Sequence, residues 1–181
     1  MGYDQVGRRA AIRAGELERL RNGWFAVPGT ADDLTRAVRL GGKVTCTSGL
    51  RLLGLWTMPD ALLHVSVKVN AARLRSPDDR RASWVAGEHP DVRLHWNGLQ
   101  ASSHPDSPID DLMPALAHHI VCAGRESAVV TIDSALNSTV GGVPLATVEQ
   151  LAVLLSGLPV RRGDHIRTGG LSRRGLTVTL D

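Results

Sequence analysis

The stretch GELERLRNGWFAVPG, residues 15–29, decides how the first part of this chain folds. Two short runs, LERLR and WFAV, flank the pair Asn22-Gly23. Asn-Gly tolerates the positive φ angles of a type I′ turn, so the stretch predicts a tight β-hairpin. Because side chains alternate along a strand, we expect Arg19 and Arg21 on one face of the hairpin and Leu20 on the other.

One helix is predicted before this hairpin and another after it. The segment DQVGRRAAIRAGEL spaces its apolar residues as a helix does, with Asp4 as its cap and Gly15 at its end. Gly7 lies inside this helix and costs about 0.5–1 kcal/mol relative to alanine, so the helix requires tertiary support. After the turn PGTADD, the pattern predicts a second helix over residues 31–40.

The remaining segments alternate between strand and helix patterns. KVTCT, LLHVSVKVN, WVAG and VRLHW are predicted strands, and the alternation in LLHVSVKVN indicates that only one of its faces is buried. Helices are predicted over GLRLLGLW with Ser48 as its cap, over DDLMPALAHHIVCA, over ESAVVTIDSALNS, and over TVEQLAVLLSG. Thr147 and Gln150 have the spacing of a capping box. We expect Trp24 to pack the hairpin onto the domain behind it, and the core to contain Trp56, Trp84 and Trp96.

Charge is segregated along the chain behind a formal net charge of +3. Residues 1–81 carry 14 Lys and Arg against 8 Asp and Glu, residues 82–159 carry 2 against 8, and residues 160–181 carry 5 against 2. A basic N-terminal part attracts a polyanion, whereas an acidic middle favours a basic protein partner. The alternative is that these arginines are ordinary surface residues.

Several classes of function are excluded by what the sequence lacks. It contains neither the roughly eighteen consecutive apolar residues of a membrane helix nor an N-terminal apolar leader, so we expect a cytoplasmic protein without a membrane partner. G-x-S-x-G, P-loop and H-E-x-x-H motifs are also missing, so we expect no catalytic residues, no cofactor and no enzymatic activity.

Metal binding is not expected either. Cys46 and Cys122 lie far apart in sequence without metal-ligand partners at useful spacing, so we interpret them as buried free thiols. The adjacent His118 and His119 point about 100° apart on a helix and make a poor chelate, which predicts a partly exposed helix face. The pair Asp110-Asp111 is interpreted as a cap at a helix start.

Taken in order, GELERLRNGWFAVPG, AVRLGGKVTCTSGLRLLGLW, LHVSVKVNAARLR, RLHW and IDSALN resemble the AbiEi-type antitoxin proteins of actinobacterial type IV toxin–antitoxin systems. The chain is also similar to related proteins that fuse this region to a very-short-patch-repair-like endonuclease domain. The resemblance covers residues 5–159. It implies a winged helix-turn-helix that binds operator DNA, followed by an α/β part that opposes a nucleotidyltransferase-like toxin.

The same resemblance assigns a set of DNA-contacting residues. DQVGRRAAIR becomes the recognition helix and the hairpin becomes the wing, which lies against the phosphate backbone. Gln and Arg side chains each make bidentate base contacts worth about 1–3 kcal/mol of discrimination. The predicted DNA-binding residues are Gln5, Arg8, Arg9, Arg13, Arg19, Arg21 and Asn22. The alternative is a solvated helix face, with the hairpin packed on the next domain.

These inferences predict an α+β chain in three parts. Residues 1–30 are a partial winged-helix DNA-binding segment, residues 31–159 are a mixed α/β antitoxin-like domain, and residues 160–181 are a loose basic tail. One function is a DNA-binding antitoxin-like transcriptional autorepressor. The other is a truncated, inactive remnant of a nuclease-fused protein that acts only as an interaction module. Similar proteins have further residues ahead of the recognition helix, and neither Lys43 nor Lys68 completes the (D/E)-x-K signature of the fused nuclease.

Overall fold

Helices and short strands alternate along the chain in the computed structural model, which describes residues 5–97 and 104–159. Within those residues the helices are α1 (Gln5–Arg13), α2 (Asp32–Leu40), α3 (Cys46–Leu52), α4 (Leu112–Cys122), α5 (Arg125–Asn137) and α6 (Val148–Ser156). The strands are β1 (Glu18–Arg21), β2 (Trp24–Ala26), β3 (Lys43–Val44), β4 (Leu63–Lys68), β5 (Val92–Asn97), β6 (Thr139–Val140) and β7 (Val143–Pro144). The expected α+β class is confirmed. The predicted cap Asp4 and the predicted tail over residues 160–181 lie outside the described residues.

The predicted hairpin is confirmed as the antiparallel pair β1–β2. Gly23 has a φ of 81°, as the turn between the two strands requires. The register is irregular between Arg19 and Arg21, because an extra residue on β1 lies opposite a single step on β2. This irregularity changes which way the second arginine points.

The hairpin packs on α2. Leu20 and Ala26 form a small buried cluster with Val38 of α2, and Trp24 packs against that cluster. The prediction for Trp24 is therefore confirmed. An ion pair of 2.7 Å between Glu18 and Arg39 joins the same two elements at the surface.

The central sheet has the strand order β3-β4-β5, with β3 antiparallel and β5 parallel to β4. One face of β4 packs against α2 in an apolar cluster of Ala37, Leu40, Val44, Leu63, Val65 and Val67. The opposite face of β4 is also buried, because His64 and Ser66 are 1% and 3% exposed. The expectation that only one face of this strand is buried is therefore wrong. The segment WVAG, predicted as a strand, forms none.

A layer of helices covers the second face of the sheet. Its apolar cluster draws on α3, α4, α5 and α6 and contains Leu50, Leu55, Ala115, Leu116, Ala117, Ala135, Ala146, Leu151 and Leu154. The capping box of Thr147 and Gln150 at the start of α6 is confirmed. Ser48, predicted as a cap, instead lies inside α3 and donates its hydroxyl to the Leu62 carbonyl.

Two tryptophans are not in the core. Trp56 is 59% exposed and Trp96 is 39% exposed, so the expectation that both fill the core is wrong. Trp84 is half-buried and packs against the cluster on the α2 side of the sheet. The two apolar clusters consist mainly of aliphatic side chains, which leaves the large aromatic rings at their margins.

None of the helices within the described residues is both long enough and apolar enough to span a membrane.

Candidate functional site

The structure brings most of the predicted DNA-binding residues to the surface around α1 and the hairpin. The Arg8 guanidinium lies 6.0 Å from the centroid of the Phe25 ring. Phe25 is directly opposite Arg19 in the hairpin, so their side chains share a face. Arg8 of the helix and Arg19 of the hairpin are thereby placed on one side of this region. The exposed residues are Gln5, Arg8, Arg9, Arg13, Arg19 and Asn22.

We call the group Arg8, Arg9, Arg13 and Arg19 the N-terminal cationic surface. Within residues 5–97 and 104–159, none of these four guanidinium groups forms an ion pair. Their hydrogen bonds are local: Arg13 donates to the Arg9 carbonyl at 3.4 Å, and Arg19 donates to the Asn22 side chain at 3.2 Å. The neighbouring Glu18 carboxylate accepts from Arg39 of α2 instead.

Arg21 does not belong to this surface. Its guanidinium donates to the carbonyl of Leu40 at 2.9 Å and to the carbonyl of Arg73 at 3.2 Å. It lies against Gly41, where an added Cβ would collide with it. Burial lowers the pKa of Arg21, and the charge of Arg75 adds to that effect. The expectation that Arg19 and Arg21 share a face is wrong, because the register irregularity turns Arg21 toward the body of the protein.

A second group of side chains lies between the sheet and the helical layer. It combines Cys46 at the start of α3, His64 on β4, His95 on β5 and Cys122 at the end of α4. One potential ligand atom from each residue, a thiol sulfur or an imidazole nitrogen, lies within 4.8 Å of each of the others. We call this group the Cys/His cluster.

The two histidines of the Cys/His cluster come together because β4 and β5 are parallel neighbours. Their rings stack with centroids 5.1 Å apart, and His64 Nδ1 lies 2.8 Å from His95 Nε2. The other nitrogen of His64, Nε2, lies 2.9 Å from a carboxylate oxygen of Asp60. A carboxylate accepts hydrogen bonds, so Nε2 of His64 donates to Asp60, and Nδ1 faces the cluster. Burial lowers the pKa of His95 to about 3, which keeps that ring neutral.

The two cysteines of the cluster have different surroundings. Hydrogen bonding with the Cys46 thiol, with further contributions from His64 and Arg93, lowers the pKa of Cys122. Arg93 donates to Cys122 Sγ at 3.2 Å, and this contact raises the pKa of Arg93. Burial raises the pKa of Cys46, the more enclosed of the pair. Both cysteines are free thiols rather than partners in a disulfide.

The backbone at Cys46 is strained. Its φ of 51° makes it the sole non-glycine residue with a positive φ in the described part of the chain. A non-glycine residue in this region costs about 1–3 kcal/mol and persists where its surroundings hold it, often at a functional site. His119 lies beside it, with Nδ1 at 3.8 Å from Cys46 Sγ and at 3.2 Å from the Thr47 hydroxyl.

One expectation about buried polar residues is wrong, and another holds only in part. Cys46 and Cys122 lie beside two histidines that are distant from them in sequence. His118 and His119 are 3% and 1% exposed, so they do not form a partly exposed helix face. Of the pair interpreted as a helix cap, Asp111 is the N-cap residue of α4, but its carboxylate contacts His104 and makes no side-chain cap hydrogen bond. Asp110 is buried at 1% exposure, and within the described residues its carboxylate oxygens have no hydrogen-bond partner.

The Cys/His cluster lacks the closely spaced ligands by which a metal site is usually recognised in a sequence. The usable signal was weaker: His64 and His95 each occupy a polar-face position in a predicted strand. Only the parallel pairing of those strands places the two rings side by side. No family model matches this chain, and no curated protein matches it.

Proposed function

We propose that this protein binds double-stranded DNA through the N-terminal cationic surface and acts as an antitoxin-like transcriptional repressor. The observation that carries this proposal is a set of exposed arginines, on α1 and the hairpin, that form no ion pairs among the described residues. Unpaired guanidinium groups are free to replace the counterions condensed on DNA. In this arrangement α1 serves as the recognition helix and the hairpin as the wing, with Gln5 and Asn22 as polar contacts.

The position of Arg21 against the body of the protein removes one residue from the proposed DNA interface. Arg21 holds the hairpin on the body of the protein, so Arg19 and Asn22 remain as the contacts from the wing. Gln5, Arg8 and Arg9 lie along α1, from which side chains reach base edges, and Arg13 is one turn further along. An operator-binding role places the protein in the cytoplasm.

The resemblance also supports a protein partner, a nucleotidyltransferase-like toxin bound by the acidic part of the chain. Residues 82–159 carry 2 Lys and Arg against 8 Asp and Glu. Val140 and Val143 lie opposite each other in the hairpin β6–β7 and are both about two-thirds exposed. Exposed apolar side chains within an acidic part of the chain fit a basic partner with an apolar contact surface. Co-expression with the product of the neighbouring gene, followed by co-purification, tests this part of the proposal.

DNA binding is tested by gel-shift titration over the promoter of the protein's own gene at two salt concentrations. We expect specific retention with a steep loss of affinity as salt rises. The double variant Arg8→Ala/Arg9→Ala should bind more weakly and reduce the salt slope by about 1 for each phosphate contact that is lost. The matched control Arg51→Ala/Arg125→Ala removes two exposed arginines of α3 and α5 and should leave the slope unchanged.

Two results would overturn the proposal. If the intact chain is not retained at micromolar concentration, the alternative of an interaction module without DNA binding is favoured. If the α1 variant and its control lose affinity equally, binding follows total charge rather than the N-terminal cationic surface.

A further inference from the structure

We propose that the Cys/His cluster binds a single Zn²⁺ ion as a structural centre that joins the sheet to the helical layer. This inference is independent of DNA binding, because the cluster lies in the body of the protein and shares no residue with the N-terminal cationic surface. It rests on the geometry of the donor atoms, on the groups behind them and on the strained backbone at Cys46.

The spacing of the donor atoms fits a tetrahedral ion. Zinc bonds of about 2.3 Å to sulfur and about 2.0–2.1 Å to nitrogen put the ligand atoms of a tetrahedral site about 3.3–3.8 Å apart. In the cluster every pair lies within 4.8 Å, and the two imidazole nitrogens are 2.8 Å apart. Side-chain displacements of about 1 Å or less therefore bring all four atoms to bonding distance of one ion.

The groups behind the donors have the arrangement that metal sites use. A histidine that binds a metal ordinarily donates its other ring N–H to a carboxylate or carbonyl, which fixes the ring and its tautomer. Asp60 does this for His64. On the sulfur side, Arg93 donates to Cys122 at 3.2 Å and so supports a thiolate.

Charges balance when the ion is bound. Each thiol releases its proton to solvent as its bond to zinc forms, and the two resulting thiolates neutralise the charge of Zn²⁺. The hydrogen bond between His64 Nδ1 and His95 Nε2 is replaced by two nitrogen–zinc bonds, and the His95 ring takes the tautomer with its proton on Nδ1. The opposite charges of Arg93 and Asp60 offset each other beside the complex. A neutral, hydrogen-bonded complex is the form in which buried charge is tolerated.

The donor set selects the metal and its role. Two sulfurs and two imidazole nitrogens in a tetrahedron are typical of zinc, whereas Mg²⁺ and Ca²⁺ prefer oxygen ligands. Four protein ligands leave no position for a reacting water, which is the pattern of a structural centre. Because α3, β4, β5 and α4 each supply one ligand, the ion fastens both layers together at one point.

Metal content and Co²⁺ substitution of the full-length protein test this inference. Protein purified under reducing conditions should contain one equivalent of zinc by mass spectrometry. Replacement by Co²⁺ should give the intense visible bands of a tetrahedral ion together with thiolate-to-cobalt charge transfer. Removal of zinc by a chelator should lower the melting temperature by more than about 10 °C, and added Zn²⁺ should restore it.

Ligand variants locate the site. His95→Gln should weaken zinc affinity by more than about 100-fold. This loss exceeds the usual cost of removing a group that only hydrogen-bonds to a metal ligand. Cys122→Ser should reduce the charge-transfer intensity of the Co²⁺ form. The control His104→Gln replaces an exposed imidazole outside the cluster and should leave both readouts unchanged.

The wild-type measurements keep the inference falsifiable even where a variant fails to fold. Reduced wild-type protein that binds neither Zn²⁺ nor Co²⁺ would overturn it. So would a disulfide between Cys46 and Cys122 in freshly purified protein, since a disulfide sulfur is no zinc ligand. An octahedral Co²⁺ spectrum without thiolate charge transfer would place the metal elsewhere.

Discussion

The N-terminal cationic surface and the Cys/His cluster both gather candidate functional side chains, but they are assembled in opposite ways. The cationic surface comes from a helix and a hairpin that are adjacent in sequence, and its arginines remain exposed. The Cys/His cluster draws one residue from each of four elements and is enclosed between the sheet and the helical layer. The difference teaches that a site for a polyanion needs charge at the surface, whereas a metal centre needs the packed body to bring its ligands together.

The largest effect, a loss of stability, is expected from a substitution in the apolar core next to the Cys/His cluster. Leu116 of α4 is fully buried in the same apolar cluster as Leu50 of α3, and these two helices each carry a cysteine ligand. Leu116→Ala should lower the free energy of unfolding by about 2–5 kcal/mol, measured by urea denaturation. The salt slope of DNA binding at low temperature should stay at its wild-type value. A changed slope with unchanged stability would break the proposed separation of the two regions.

A smaller effect, on zinc affinity, should follow from removing the hydrogen-bond partner of the proposed ligand His64. Asp60→Asn removes the carboxylate that faces His64 Nε2 at 2.9 Å. We expect zinc affinity to fall by about 10–100-fold, the usual cost of losing a group behind a metal ligand. Competition with a chromophoric chelator measures this change. Unchanged affinity would show that the contact does not orient His64.

Arg19 and Arg21 of the hairpin, which strand alternation predicts on one face, should contribute differently to stability and to DNA binding. Arg21→Ala removes the guanidinium that donates to the carbonyls of Leu40 and Arg73, although Leu40 keeps the backbone N–H of Arg75, and should cost about 1–3 kcal/mol of stability. Arg19→Ala removes an exposed side chain and should change stability by less than about 0.5 kcal/mol. When equal amounts of folded protein are compared, Arg19→Ala should weaken DNA binding more than Arg21→Ala does. Thermal denaturation and gel shift on the same samples give both readouts, and equal stability losses would contradict the assignment.

The smallest loss of stability is expected from the surface ion pair between the hairpin and α2. Glu18→Gln removes the charge that faces Arg39 at 2.7 Å, and the carboxylate side chain is 59% exposed. Pairs exposed to water contribute about 0.2–1 kcal/mol, and salt screens them. Urea denaturation at low and high salt should therefore show a difference that disappears at high salt. A loss of stability larger than that of Arg21→Ala would mean that the ion pair, rather than the half-buried Arg21 guanidinium, holds the hairpin on α2.

Features that depend on neighbouring residues could be predicted from the sequence. The turn at Asn22-Gly23 and the capping box of Thr147 and Gln150 each involve residues within one turn of one another, so short motifs specify them. The exposure of the four surface arginines also follows from local pattern. Arg21 escaped prediction because one irregular step in the register reverses the direction of a side chain.

The Cys/His cluster escaped prediction for a different physical reason. Its histidines meet only because β4 and β5 pair in parallel. Parallel strands are joined by a long connection, so no local sequence pattern identifies which two strands pair. The same pairing explains why β4 is buried on both faces, since helices cover both sides of the sheet. An alternating strand pattern predicts that its polar residues face water, whereas His64 and Ser66 of β4 face a second packed layer.

The parallel pairing of β4 and β5 has a consequence for the order in which the protein assembles. His64 and His95 are 31 positions apart, and Cys46 is 73 positions from His119 near the end of α4. Contacts of such long sequence separation form slowly, because the entropy cost of closing the intervening chain comes before any stabilisation from the contact. We therefore expect an ion bound by these ligands to stabilise a topology that the chain has already formed, rather than to nucleate folding as in a small zinc finger.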